Sequence, residues 1–409
     1  MPSVRLEGGG ELALGALIGA YQEDGTGGLT ALLPLAGRTL VEYQARCAAA
    51  AGASPIVVLV ERIPAALNQA FDRLRREGIN LVLVSDGEEA VTRFEPGEFI
   101  LVIGDGVIAP LELLTGLSDD GEALILTVPD DDAHEEFERI DGASRWSGVA
   151  LAEGRTLGAT VAMLGDWDLP STLLRRSLQA GARLVPVAPE LQPRLAHKAG
   201  DLEQFERSLL ASSNVGRTDL ASRFATPWIE DVATERLMET QVRPEWLLYA
   251  ALALSVGAAL AFTRGWHWPA LAMLLLSAPL DLVAERLGKL RLRPIAPNSL
   301  SKRLLWPAAG VALLALGWWE SRHGGGWGAL LAALAAMAFA QADRIERAHV
   351  DGGLPLWLFS RRNVVVAALP FALAGAWTGL LVAVLAYAGA SFFLAQHLVH
   401  RLRARLTTH

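Results

Sequence analysis

The chain has 409 residues, room for two or three domains, and carries 36 Lys and Arg against 44 Asp and Glu. That charge is unevenly spread: from Trp246 onward there are 15 basic and 6 acidic residues, a net of +9, so the first 245 residues carry −17. An acidic front half argues against nucleic acid as a partner, and the lone Cys47 excludes an intrachain disulfide and fits a reducing compartment.

The N-terminal stretch MPSVRLEGGGELALGALIGAY has Glu7 and Glu11 ahead of a short apolar run and Arg5 as its only basic side chain. It reads as neither a signal peptide nor a span. Residues 12–19 (LALGALIG) predict a first buried strand, and 25–37 (GTGGLTALLPLAG) a Gly-rich loop. TLVEYQARCAAAAGA then predicts a helix closed by Gly52, followed by the β-branched strand PIVVLVE. A helix over 64–77 leads to the strand INLVLVSD, and EFILVIGD (98–105) is a further strand. EALILTV, LGATVAML and RLVPVA complete the strand expectations. Short continuous apolar strands alternating with helices imply a largely parallel sheet covered on both faces, an α/β domain over 1–212.

Ligands of such sheets sit beyond the carboxyl ends of the strands. This marks the loop with Gly25, Gly27 and Gly28, whose backbone N–H groups suit a phosphate, and Asp105 after VIG. An ordinary turn is the competing reading of the loop. Residues 213–245 contain Pro227 and Pro244 and read either as amphipathic helices lying against a membrane surface or as a solvated linker.

From residue 246 the pattern changes. Apolar runs occur at 246–263, 266–284, 304–319, 327–342, 363–378 and 379–399, rich in Gly and Ala, and predict a membrane domain of six helices. Arg286, Lys289, Arg291, Arg293, Lys302 and Arg303 separate the second and third runs. Arg344, Arg347, Arg361 and Arg362 separate the fourth and fifth, and Arg401, Arg403 and Arg405 follow the last. The intervening loops are nearly free of basic residues, so the positive-inside rule puts both termini and the α/β domain in the cytoplasm, on the inner membrane.

The stretch PLDLVAERLGKLRLRPIAPNSLSKRLLW (279–306) lies on that same side. Asp281 and Glu285 sit at the rim of a span, where carboxylates are costly and mark a functional site unless they snorkel. Without a metal, Asp281 needs a counter-charge, expected from Lys302 or Arg286. Asp343 and Glu346, beside Arg344 and Arg347, are further acids at a helix end. His267, His323, His397 and His400 suggest a further reading, a transporter-like or structural membrane protein with a regulatory cytoplasmic domain, although no histidine pair has the partner pattern of a metal site.

A six-helix membrane domain with its acids at the cytoplasmic end of helix two resembles the CDP-alcohol phosphotransferases. Their motif runs D-x-x-D-G-x-x-A-R, eight residues, then G-x-x-x-D-x-x-x-D. It starts here at Asp281, after which Ala284, Glu285, Gly288, Lys289, Asn298, Lys302 and Trp306 stand at the remaining motif positions. The front half is similar to sugar-phosphate nucleotidyltransferases through LLPLAGRTLVEYQARCAAAAGA, with Thr30-Ala31 where that family has Lys-Pro. Its nucleotide loop is represented by Asp24-Gly25-Thr26-Gly27-Gly28 and its metal-binding Gly-Asp by Asp105. Arg217, Thr218, Asp219, Ser222 and Arg223 are similar to the juxtamembrane Thr-Asp…Ser-Arg of the synthase half.

The order of parts thus resembles the bifunctional inositol-phosphate cytidylyltransferases fused to a CDP-alcohol phosphotransferase of the di-inositol-phosphate-phosphate synthase type. The resemblance implies a nucleotidyltransferase-like domain (1–212), a juxtamembrane linker (213–245) and a six-helix membrane domain (246–409). It implies CTP or a CDP-alcohol as ligand, Arg217, Asp219, Arg223 and Lys289 as phosphate-binding candidates, and a dimer with itself or with an active relative. Since Asp281 alone survives of four metal acids, with Lys302 intruding, the expected state is a non-catalytic relative. The alternative is an active transferase in which Asp281, Glu285, Asp219 and Asp343 form a rebuilt Mg or Mn site.

Overall fold

Seven strands of the first half pair into one twisted sheet whose apolar side chains form the core. The structure, a computed structural model, describes residues 14–117, 121–163, 169–212, 219–238, 240, 242–292, 295, 299–347 and 355–406. It divides into two units, Met1–Leu209 and Leu210–His409. The strands are β1 (Leu14–Gly19), β2 (Ile56–Leu59), β3 (Leu81–Val84), β4 (Phe99–Ile103), β5 (Leu124–Pro129), β6 (Ser144–Glu153) and β7 (Arg183–Pro186). Their order in the sheet is β7-β5-β6-β4-β1-β2-β3, parallel except for β6, which runs antiparallel to both β4 and β5.

Helix α1 (Leu40–Ala50) starts where the sequence provides a capping box. The Glu42 carboxylate accepts from the Thr39 N–H and hydroxyl, each at 3.0 Å. Glu42 is fully buried, and Arg73 of α2 (Ala65–Arg76) holds it through two 2.9 Å bonds. A buried carboxylate needs such pairing.

One expected strand is corrected. LGATVAML does not form a strand: Gly154–Val161 is a helix, α3, with Leu157 and Thr160 buried on one face. The strand lies just before it, in SRWSGVALAE, where Gly148 adopts φ +81° and the pairing with β5 shifts register. A Gly with positive φ amid polar residues hides the strand pattern.

The second unit is helical. After a π-helical turn (Ala221–Ala225) come α4 (Pro227–Met238), α5 (Pro244–Thr263), α6 (His267–Leu290), α7 (Leu300–Arg322), α8 (Gly326–Arg347), α9 (Arg361–Leu373) and α10 (Trp377–Leu406). Helix α5 packs against α6 and α7, and α8 against α7 and α10. The seams are built from alanines such as Ala258, Ala312 and Ala333, and a Cβ on Gly317 would stand 2.7 Å from the Ala333 Cβ. Small side chains let helix backbones approach closely.

Among the described residues, four helices are long and apolar enough to cross a membrane: α5, α7, α8 and the Trp377–Arg401 part of α10. The other two predicted runs differ for visible reasons. Helix α6 carries Asp281, Glu285, Arg286 and Lys289 near its end, and α9 has only 13 residues. At 1.5 Å per residue α9 extends about 20 Å, short of the ~30 Å apolar core of a bilayer.

Candidate functional site

Helix α9 opens with two arginines, Arg361 and Arg362. Positive charge at a helix N-terminus opposes the macrodipole, so both require nearby carboxylates. Asp281, projecting from α6 shortly after Pro279, meets them. Arg362 places Nη2 2.8 Å from Oδ2 and Nε 3.3 Å from Oδ1 of Asp281, and Arg361 Nη2 lies 3.1 Å from Oδ2. Arg361 also reaches the Ser277 hydroxyl at 3.2 Å. The remaining arm of Arg362, Nη1, donates to Asp219 Oδ2 at 2.7 Å.

Asp219 is buried, and its Oδ1 accepts the Ser222 N–H at 2.8 Å. Next to it, Asn363 ties the same turn to α9. Its Oδ1 accepts the Ala221 N–H at 2.9 Å, while its amide donates to the Leu358 carbonyl at 3.1 Å and approaches the Tyr387 hydroxyl at 3.2 Å. Tyr387 in turn donates to the Trp357 carbonyl. The result is a charge-balanced knot of two aspartates and two arginines, with side-chain exposures of 4% to 14%.

This knot does not fit a divalent cation. A hard cation takes about six oxygen ligands, whereas both oxygens of Asp281 and one of Asp219 already face guanidinium N–H groups. Two positive charges at that distance repel a third. Among the described residues, no group of three or more His, Cys, Asp or Glu is placed to hold a metal ion.

The expected partners of Asp281 are corrected. Lys302 pairs with Glu285 at 2.6 Å, both about two-fifths exposed, because Glu285 lies one helical turn beyond Asp281 and meets the lysine first. Arg286 turns to Asp231 and the Leu210 carbonyl. Five residues apart on α6, Asp281 and Arg286 point to different faces. Lys289 is exposed, and Arg223 is exposed with its guanidinium 5.8 Å from the Phe224 ring centre. Arg217, Thr218 and Asn298 lie outside the described residues. Asp343, fully buried, pairs with Arg347, which donates to the Phe359 carbonyl at 2.7 Å. Trp306 donates its indole N–H to Gln341 at 3.0 Å.

In the α/β unit, Asp105 follows the carboxyl end of β4 and its Oδ2 accepts the Tyr21 and Gln22 N–H groups, each at 2.6 Å. It is 5% exposed, and burial pushes its carboxyl up to about 6 despite those bonds. The Gly-rich loop is closed on itself. The Asp24 carboxylate accepts the Thr26 and Gly28 N–H groups, both at 2.8 Å, and the Thr26 hydroxyl at 2.7 Å. The Gly27 N–H goes to the Asp24 carbonyl at 3.1 Å. That hydroxyl, with the N–H donors, holds the Asp24 carboxyl below the usual range. A phosphate cradled here would have to displace the Asp24 side chain, since the same N–H groups would be needed. Gly25 is exposed, and Gly27 adopts φ +82°.

The histidines lie elsewhere in the helical unit. His267 stacks on Trp377 and lies 3.3 Å from Glu320, His323 stacks on Trp319, and His397 and His400 are exposed. The residues that reasoning from sequence overlooks are Asn363, Tyr387 and above all Arg361 and Arg362, which count there only as loop charge. The available signal was Ser360, Arg361, Arg362 and Asn363 in succession, a helix cap followed by two cations where a helix start favours anions. Comparison with protein-family models and with curated proteins finds no match to this chain.

Proposed function

We propose that the chain is an inner-membrane protein of the CDP-alcohol phosphotransferase type whose phosphotransfer site has become an ion-paired strut. In this reading it has six membrane helices, with the bilayer thinned around the short α9, a cytoplasmic nucleotidyltransferase-like domain, and both termini in the cytoplasm. It acts as a binding subunit, or as a partner in a dimer with an active relative. The observation that carries the reading is Arg362 bridging Asp219 and Asp281 at 2.7 and 2.8 Å. The two acids best placed to hold a catalytic cation are neutralised by side chains. The Asp24 carboxylate filling its own loop supports a similar loss in the front domain.

A second reading, an active transferase with a rebuilt metal site, draws on one fact: Asp219 and Asp281 converge on the same guanidinium. Withdrawal of Arg362 would leave two carboxylates facing one position. The two readings separate in a single experiment on the purified protein. CTP and CDP binding is titrated with and without Mg²⁺, alongside CMP release from CDP-alcohols. We expect no CMP release above background, with any nucleotide affinity independent of Mg²⁺. Metal-dependent CMP release abolished by Asp281→Asn would replace the first reading with the second.

A further inference from the structure

We infer that residues 221–238 lie in the membrane–water interface, with the stripe Phe224, Trp228 and Val232 inserted among lipid chains. The inference rests on the chain being a membrane protein but not on its transferase ancestry.

The segment is inside out for a helix in water. Phe224, Trp228 and Val232, at four-residue spacing, are 73%, 69% and 52% exposed. At the same spacing Ser222, Thr226, Glu230 and Thr234 are all buried. A surface helix in water shows the opposite polarity, with its apolar stripe turned to the core. Much of the buried polar face is satisfied within the protein: Thr226 donates to Glu230, and Ser222 donates through its N–H to Asp219, while the Thr234 hydroxyl has no hydrogen-bond partner among the described residues. The inward side is fixed by bonds to other elements, from the Ala221 N–H to Asn363 and from Arg291 to the Leu237 and Met238 carbonyls. The outward side carries the apolar stripe, flanked by exposed Asp231, which pairs with Arg286, and by exposed Glu235. Three large exposed side chains in a row mark an interaction surface.

Lipid is the occupant that the surroundings favour. The segment leads directly into α5, one of the four helices apolar enough to cross a membrane. The first turns of α5 turn Trp246 and Tyr249 outward, 66% and 52% exposed. Trp and Tyr concentrate at the headgroup level of membrane helices, which sets the depth at which α5 begins. Arg223 and Arg236, both exposed, stand at the two ends of the stripe, where long cationic side chains can reach headgroups while their stems stay in the apolar layer. A water-facing linker would need none of these features.

The test uses the full-length protein in lipid nanodiscs with spin labels on introduced cysteines. Cys47, the only native cysteine, is fully buried and burial pushes its thiol up to about 12, so it does not compete for label. Labels at Phe224→Cys, Trp228→Cys and Val232→Cys are compared with Leu260→Cys, where the native leucine of α5 is 64% exposed, and Glu88→Cys, an exposed site of the α/β unit. Collision with oxygen, which partitions into lipid, is compared with collision with a water-soluble nickel chelate. The expected result is an oxygen-to-nickel ratio at the three stripe positions several-fold above Glu88→Cys. If the stripe positions are as open to nickel as Glu88→Cys while Leu260→Cys favours oxygen, the proposal fails and the membrane reading stands. Shielding of the stripe from both reagents would mean that protein covers it, and would also overturn the proposal. Leu260→Cys open to nickel would remove the membrane reading itself.

Discussion

Replacing Arg362 with methionine should destabilise the helical unit by about 3–5 kcal/mol, the usual cost of removing one partner from a buried ion pair. The reason is what remains behind. Asp219 and Asp281 would face each other, 4% and 14% exposed, with Arg361 as the sole neighbouring cation of the knot. The triple variant Arg362→Met, Asp219→Asn, Asp281→Asn should recover most of the loss, because it removes the stranded charges together with their partner. Lys302→Ala serves as the control. Its pair with Glu285 is about two-fifths exposed on both sides and should contribute less than about 1 kcal/mol. Unfolding in detergent micelles, followed by helical circular dichroism, reads all three. An Arg362→Met protein as stable as the parent would mean that the two aspartates do not depend on Arg362 and that the knot does not hold the helical unit together.

The second large effect is on pH dependence and belongs to the α/β unit. Asp105 has its carboxyl raised from an ordinary 3.8 to about 6 by burial. Between those two values the folded chain holds a proton that the unfolded chain has released. Stability is therefore highest below pH 4 as far as this group is concerned, and falls as the pH rises through about 6. Two units at about 1.4 kcal/mol each amount to roughly 3 kcal/mol. Asp105→Asn has no proton to lose, and its side-chain oxygen can still accept the Tyr21 and Gln22 N–H groups. The difference in stability between variant and parent should therefore grow in the variant's favour from pH 4 to pH 6.5. A difference that stays constant with pH would show that Asp105 is ionised in the folded protein throughout this range.

The sheet and the helical unit were legible in the chain because burial on both faces leaves continuous apolar runs. IVVL, LVLV and FILVI form parallel strands where the sequence predicts them. The antiparallel strand β6 was not, since Gly148 and its polar neighbours break the run. The apolar LGATV that follows is read as a strand but buries only one face, as a helix does. In the helical unit, composition marks the helices well and marks their charged ends poorly, which is why α6 and α9 stand apart from the other four.

The site was half legible. An aspartate in an apolar helix announces that it has a partner, and Asp281 does have one. Which partner is a matter of tertiary structure. Lys302 and Arg286 are near in sequence, but the cations that reach Asp281 come about 80 residues later, with Arg362 separated from it by 81 positions. Helix periodicity shows that Arg286 faces away, yet nothing local shows that α9 delivers two arginines to the same spot. Asp219 was visible only through its resemblance to a juxtamembrane motif, and its pairing with Arg362 depends on the turn that Asn363 ties down.

The measurement that addresses the central claim most directly is Mn²⁺ binding to the purified protein, read from the electron paramagnetic resonance signal of the free ion. If guanidinium groups occupy Asp219 and Asp281, the protein should take up no Mn²⁺ that Asp281→Asn abolishes. Two tightly held ions per chain, lost together on Asp281→Asn, would contradict the account.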